Sequence, residues 1–359
     1  MTSYDAEIGI VGAGPAGARA AELLAGRGVR VTIWDPRIPW EKPCGGGLPA
    51  SAFDQMPELR ELLPNARRID AVRFESPSGN GFPVELARSM YMVSRRDLAR
   101  FQVDRAQRAG AEWIQEGIRR ITPRGDRSKG WILEGSDGRS WTVRRIVGAD
   151  GAASLTRRSC SPDLRIELAP TRVAYPVGVA SDPDTVLIRL FDEVDGYFWD
   201  FSRPDHRSVG AGVEAGKWNR RRLDDEIDRY LGLGRNASNG SNGSNGSDDS
   251  TGPKVSRKSL KSKVSKKETQ SKKSTTSRES DRPDTFSPRA GAVIGTAALG
   301  HGSYDGVGGP DFALVGDAAG FADPATGEGI QNALLSARYL VESWDSTRGF
   351  ADYPAVARA

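Results

Sequence analysis

Histidine and cysteine are nearly missing from this sequence, with two of each among 359 residues. His206 and His301 lie far apart, and no G-x-S-x-G turn occurs, so neither a His-rich metal site nor a Ser-His-Asp hydrolase has the residues it needs. Cys44 and Cys160 are too few for a disulfide framework and form no C-x-x-C pair, which points to a reducing, cytoplasmic compartment. Long apolar runs are absent too. The start, M-T-S-Y-D-A-E, carries acids where a leader would carry bases, so neither a signal peptide nor a membrane span is expected.

An excess of positive charge is lacking from most of the chain despite a net charge of +4. Residues 236–284 carry 11 Lys and Arg against 6 Asp and Glu, leaving 40 basic and 41 acidic residues elsewhere. This segment opens with three S-N-G triplets and continues as a Lys/Ser/Thr run almost free of aromatic and branched apolar residues. It cannot bury enough surface to offset its ordering entropy, and it is expected to be a disordered insertion. Its lysines lack interleaved aromatics, so no nucleic-acid partner is expected.

What is abundant is glycine in meaningful places. A short apolar strand over 7–11 runs into G-A-G-P-A-G, Gly12 to Gly17, then into a helix of small residues, and a second strand closes at Asp35. In such a βαβ unit Gly12 makes the tight turn, Gly14 admits a pyrophosphate to the backbone, Pro15 and Ala16 open the helix, and Gly17 lets helix and strand pack. Asp35, 23 residues after Gly12, is placed to accept from ribose hydroxyls. The unit predicts dinucleotide binding without choosing between NAD and FAD.

Two later stretches favour FAD. R-I-V-G-A-D-G-A-A-S-L-T-R-R, Arg145 to Arg158, places Asp150 after a strand. V-G-D-A-A-G-F-A-D-P-A-T-G-E-G-I places Gly316 and Asp317 at the end of another, with a long helix opening near Gly329. A second acid-tipped strand suits a ribityl chain. N–H groups around Gly327, Gly329 and Ile330 suit the negative charge that a reduced isoalloxazine gathers. The expected fold is α/β: a Rossmann-type FAD-binding domain with a second α+β substrate domain built on an antiparallel sheet. The FAD domain takes residues 1–75, 95–170 and 285–359, and the substrate domain takes 76–94 and 171–235.

These three fingerprints resemble the p-hydroxybenzoate hydroxylase-type, glutathione-reductase-like flavoproteins. K-P-C-G-G-G at 42–47 and G-Y-F-W-D-F at 196–201 narrow the resemblance to the geranylgeranyl reductase family. The resemblance implies that Gly12, Gly14, Gly17 and Asp35 hold the ADP half of FAD, that Arg95 contacts the cofactor, and that Asp150 and Asp317 are the later acids. It further implies that the loop with Lys42, Cys44, Gly45 and Gly46 reaches the isoalloxazine, its glycines lying flat against the ring. Tyr197 and Trp199 match the aromatic pair lining the lipid cavity. Val194 stands where the family signature begins with proline, and the part beyond residue 345 is expected to be shorter than in the family.

The implied activity is reduction of isoprenoid C=C bonds, with hydride from reduced flavin N5 and a proton from a protein group or water. Cys44 is the candidate proton donor, and the plainer alternative makes it a small buried hydrophobe. Tyr197, Trp199 and Phe201 share one face by period two, which suits a prenyl chain or an ordinary sheet core. The partners implied are an isoprenoid or prenyl-lipid substrate, an electron donor such as NADPH or a ferredoxin-like protein, and peripheral contact with a membrane. An aromatic monooxygenase of the same flavoprotein class, and a non-catalytic FAD- or lipid-binding paralogue, share the fingerprints and stay open at this point.

Overall fold

A computed structural model describes residues 3–178, 182–233, 289–297, 304–324 and 326–358. The basic insertion expected at 236–284 and His301 lie outside the described residues. Two sheets organise the chain. In the first, the apolar strand Ala6–Val11 pairs in parallel with Val31–Trp34 on one side and Ser140–Gly148 on the other. Glu112–Ile114 extends it in parallel beyond Val31–Trp34, and Phe312–Leu314 pairs in parallel with Ser140–Gly148. An antiparallel meander, Trp131–Gly135 with Ile118–Pro123, completes this sheet.

The helix Pro15–Ala25 packs between the helices Arg95–Arg108 and Ile330–Glu342. Its row of buried alanines, Ala16, Ala18, Ala20 and Ala21, allows that close approach. This is the α/β half that the glycine pattern implied.

The second sheet runs in the order Ala290–Ala297, Ile166–Ala174, Arg207–Val213, Gly196–Ser202, Thr185–Leu190, Arg67–Glu75, Gly81–Met92 and Gly47–Leu48. Every step is antiparallel except one, where Thr185–Leu190 runs parallel to Arg67–Glu75. The strands Arg67–Glu75 and Ile166–Ala174 belong to this sheet, so it begins ahead of the divisions expected at 75 and 170. Hydrogen bonding between strands sets that membership, and period-two patterning cannot reveal partners.

One face of the sheet packs Phe198, Val209, Ala211 and Val213 against the helix Arg220–Tyr230 through Leu223 and Ile227. The other face carries Tyr197, Trp199 and Phe201 towards the first sheet. No helix among the described residues is long and apolar enough to cross a membrane.

Candidate active site

The glycine-rich turn lies where the first strand hands over to the helix Pro15–Ala25. Gly17 has no room for a side chain: a Cβ there would strike the carbonyl oxygen of Gly12 and come within 2.9 Å of Ala149 Cβ. Gly14 is the opposite case. It is the N-cap, no side chain caps it, and a Cβ on it would meet nothing within 4 Å. Gly17 is thus a packing position that lines neither part of the cleft, while Gly14 faces open space at a helix end with free N–H groups.

The cleft runs past this helix end in two connected parts. Gly12, Trp34, Asp35, Gln102 and Asp150 line one part; Ala16, Cys44, Gly45, Gly316, Asp317 and Ile330 line the other. Gly14, Pro15, Lys42 and Arg95 line both.

The three acids differ in how occupied they are. Asp35 accepts from Arg37 N and Ile38 N through Oδ1 (2.9 and 3.1 Å) and from Ala13 N through Oδ2 (3.0 Å). Its carboxylate fastens the second strand to the glycine turn and keeps spare acceptor capacity. Asp150 accepts from Ser154 Oγ and, at 3.0 Å, from Thr156 N, so it anchors the short helix Leu155–Cys160. Buried Arg157 donates to Ala152 O at 2.8 Å and Ala318 O at 3.0 Å, joining the Asp150 turn to the Asp317 turn. Asp317 Oδ2 faces Lys42 Nζ at 3.7 Å across the cleft. The helix Ile330–Glu342 begins beside it at Gly329, again with no side-chain cap.

The cysteine loop also needs its glycines for reasons internal to the protein. A Cβ on Gly45 would come within 2.5 Å of the Phe201 ring. Gly46 has φ +79°, and a Cβ there would lie 2.6 Å from Val93 O and 2.7 Å from the Arg203 guanidinium. Side chains are excluded by the protein's own aromatic floor and by a buried arginine. Gly46 lines neither part of the cleft; its N–H donates to Cys44 Sγ at 3.3 Å.

Cys44 is half-buried and unpaired, as is the buried Cys160. Burial opposes ionisation of the Cys44 thiol, but the Arg95 guanidinium, the Gly46 N–H and Arg203 outweigh it and hold its pKa below the ordinary thiol value. Burial instead pushes the Cys160 thiol up, well out of the working range.

Tyr197, Trp199 and Phe201 line the cleft together, as period two requires. Tyr197 Oη donates to Thr326 O, and burial, with Cys44 and Asp323 adding to it, pushes its pKa up to about 12. Trp199 Nε1 donates to Ser208 Oγ at 3.3 Å. Behind this pair opens a second cavity of about 780 Å³, lined by Leu190, Phe191, Val194, Ile294 and Pro324 among others. Thr171, Tyr197, Trp199, Ile294 and Gly327 border both spaces. The aromatic pair therefore stands at the passage between the cleft and a chamber of mixed lining, which Glu167, Asp195, Glu214 and Asp323 also border.

Three residues escaped the motifs. Gln102, buried in the helix Arg95–Arg108, turns an unpartnered Oε1 towards the cleft. Buried Arg203 and half-buried Glu41 form an ion pair under the cysteine loop, with Nη1 to Oε1 at 2.9 Å. No spacing rule signals them: Gln102 meets Pro15 O only through the packing of two helices, and Arg203 meets Glu41 only when the second sheet meets the first. Among the described residues no group of three or more His, Cys, Asp or Glu could hold a metal ion.

Comparison with known proteins agrees with this architecture. Residues 10–38 match the family model described as NAD(P)-binding Rossmann-like domain. The geranylgeranyl diphosphate reductase of Synechocystis sp. is 25% identical over 362 residues, covering 94% of this chain and 74% of that protein. Digeranylgeranylglycerophospholipid reductase 1 of Methanopyrus kandleri is 32% identical over 58% of this chain and 57% of its own length. The crystal structure of a geranylgeranyl bacteriochlorophyll reductase-like protein from Thermoplasma acidophilum superimposes with a TM-score of 0.69 at 19% identity, covering 94% of this chain and 77% of that one.

Proposed function

We propose, on the premise that this chain is an oxidoreductase related to the geranylgeranyl reductases, that it binds FAD and reduces isolated double bonds of a prenyl chain. The observation that carries the reading is the aromatic passage: Tyr197 and Trp199 border both the cleft and a chamber of about 780 Å³ whose wall includes Leu190, Phe191, Val194 and Ile294, room enough for a long hydrocarbon.

The cleft's chemistry fits FAD. Gly14 leaves room for a pyrophosphate at an uncapped helix end, and the buried Arg95 keeps an unpartnered Nε in a cleft it lines throughout. Lys42 and Asp317 offer a donor and an acceptor for a polyhydroxyl chain, and the uncapped start at Gly329 and Ile330 offers N–H groups for negative charge. Reduced FAD, when bound, supplies a hydride from N5.

The chain's own residues do the rest. Phe201, Trp199 and Tyr197 hold an alkene against the cleft and exclude water, which an unactivated double bond requires. Cys44 delivers a proton to the carbon that does not receive the hydride; a thiol with a lowered pKa is a better acid near neutral pH than an ordinary one. Tyr197 stays protonated and donates to Thr326 O, closing the passage from one side. The reading is tested by incubating dithionite-reduced protein, without oxygen, with a geranylgeranylated lipid. A product heavier by two hydrogens per bond supports it, and unchanged lipid under full cofactor loading removes it.

The reading also assigns the membrane contact to the hairpin Arg67–Glu75/Gly81–Met92. Phe82 is 64% exposed, Phe74 38% and Val84 40%, and they share the face that carries Ile188 and Trp199 across the sheet. A bilayer is the one surface that both covers such a face and holds the proposed substrate. Phe82→Ser is expected to reduce co-sedimentation with phospholipid vesicles several-fold while leaving turnover of detergent-dispersed substrate unchanged. Equal sedimentation of the variant would remove this assignment.

A further inference from the structure

We propose that Arg203 is the positioning residue of this site, fixing the Cys44 loop and the start of the Arg95 helix to the second sheet so that thiol and guanidinium meet. Arg203 is 0% exposed. Its Nη2 donates to Cys44 O at 2.8 Å and its Nη1 to Val93 O at 2.7 Å and Glu41 Oε1 at 2.9 Å.

Glu41 passes the connection on. It accepts from Ser94 Oγ at 2.8 Å and from Arg95 N and Arg96 N, both at 3.1 Å. One guanidinium and one carboxylate thus tie together the segment carrying Cys44, the N-terminus of the helix carrying Arg95, and the end of the strand carrying Trp199. Ser208 Oγ, which receives the Trp199 N–H, donates to the same Cys44 carbonyl at 3.1 Å. Gly46 completes the device, since only a residue without a Cβ leaves the guanidinium its place.

A buried ion pair that served only the core would gain nothing from this arrangement, and hydrophobic residues could replace it. Here every partner of the Arg203 guanidinium lies on a segment that borders the cleft. Glu41 also keeps its charge: burial opposes its ionisation, yet Arg203 and the two helix N–H groups hold its carboxyl below the ordinary value.

The catalytic consequence rests on the proposed function; the positioning itself does not, and it is tested without substrate. The protein as purified is alkylated with iodoacetamide across a pH series, and the rate at Cys44 is followed by peptide mass. Wild type should reach half-maximal rate below the pH of an ordinary thiol. Arg203→Met should move that midpoint up by about 1 to 3 pH units, Arg203→Lys should recover part of the shift, and Ser208→Ala should shift it less. A role confined to folding would lower the unfolding temperature and leave the midpoint in place, and that result overturns the proposal. If Arg203→Met does not fold, Arg203→Lys decides: a wild-type midpoint sinks the proposal and an intermediate one supports it. Should the midpoint move while reduced protein fails to reduce any prenyl lipid, Arg203 positions the thiol and the proposed function falls alone.

Discussion

Gly14→Val is expected to yield a folded protein that does not retain a flavin, whereas Gly17→Val is expected to yield little folded protein at all. The two glycines are three residues apart in one motif, yet their surroundings separate them. A side chain at Gly14 projects into space where nothing of the protein lies within 4 Å. It would cost the fold little and would fill the approach to the helix end. Each charge-assisted hydrogen bond lost there is worth roughly 1.5–3 kcal/mol, so losing one or two weakens binding by about 10- to 20,000-fold.

A side chain at Gly17 instead collides with the Gly12 carbonyl and Ala149, both backbone-anchored parts of the core. Ordinary overpacking costs about 1–3 kcal/mol, but a Cβ driven into a backbone carbonyl forces the turn itself to move, and that loss reaches into the roughly 5–15 kcal/mol that holds a typical domain folded. Circular dichroism, thermal unfolding and visible absorbance of the two purified variants check this. A folded, flavin-loaded Gly14→Val protein would show that the phosphates do not pass this helix end.

Cys44→Ser is expected to slow the oxidation of reduced flavin by substrate by roughly 10²- to 10⁴-fold, the usual reach of general acid catalysis, with flavin content unchanged. The fold holds the acidic thiol in place. Cys44 lies beside Arg95, takes the Gly46 N–H, and sits on a loop pinned by Arg203 and Ser208. These partners favour the ionised form that remains once the proton has left. Serine keeps the shape but is a far weaker acid, so the variant separates proton delivery from packing. Stopped-flow traces without oxygen give the rate. A loss below about tenfold would assign the proton to water and leave Cys44 as a packing residue.

The sequence made the two-sheet plan legible because both periodicities were clean there. The apolar strand, the glycine turn and the alanine-rich helix follow from local rules, as does the shared face of Tyr197, Trp199 and Phe201. What it concealed was non-local. Membership of Arg67–Glu75 in the second sheet depends on its parallel pairing with Thr185–Leu190, more than a hundred residues on. Asp150 looks like a cofactor acid from its place after a strand, yet its oxygens are first engaged by Ser154 and Thr156. The glycines at 45 and 46 read as an opening for a ring, while the nearest obstacles are Phe201 and Arg203. Arg203 itself gave no signal, since a buried arginine is defined by carbonyls that only the finished fold brings together.

The central claim is that reduced flavin in this cleft gives its electrons to a prenyl double bond, and anaerobic single-turnover mixing tests it most directly. Photoreduced protein is mixed with a geranylgeranylated lipid and, separately, with geranylgeranyl diphosphate, while flavin absorbance and product mass are followed. If this chain reduces prenyl double bonds, the flavin is reoxidised with no oxygen present and the product gains two mass units per turnover. Flavin that stays reduced with both substrates until air is admitted would contradict it.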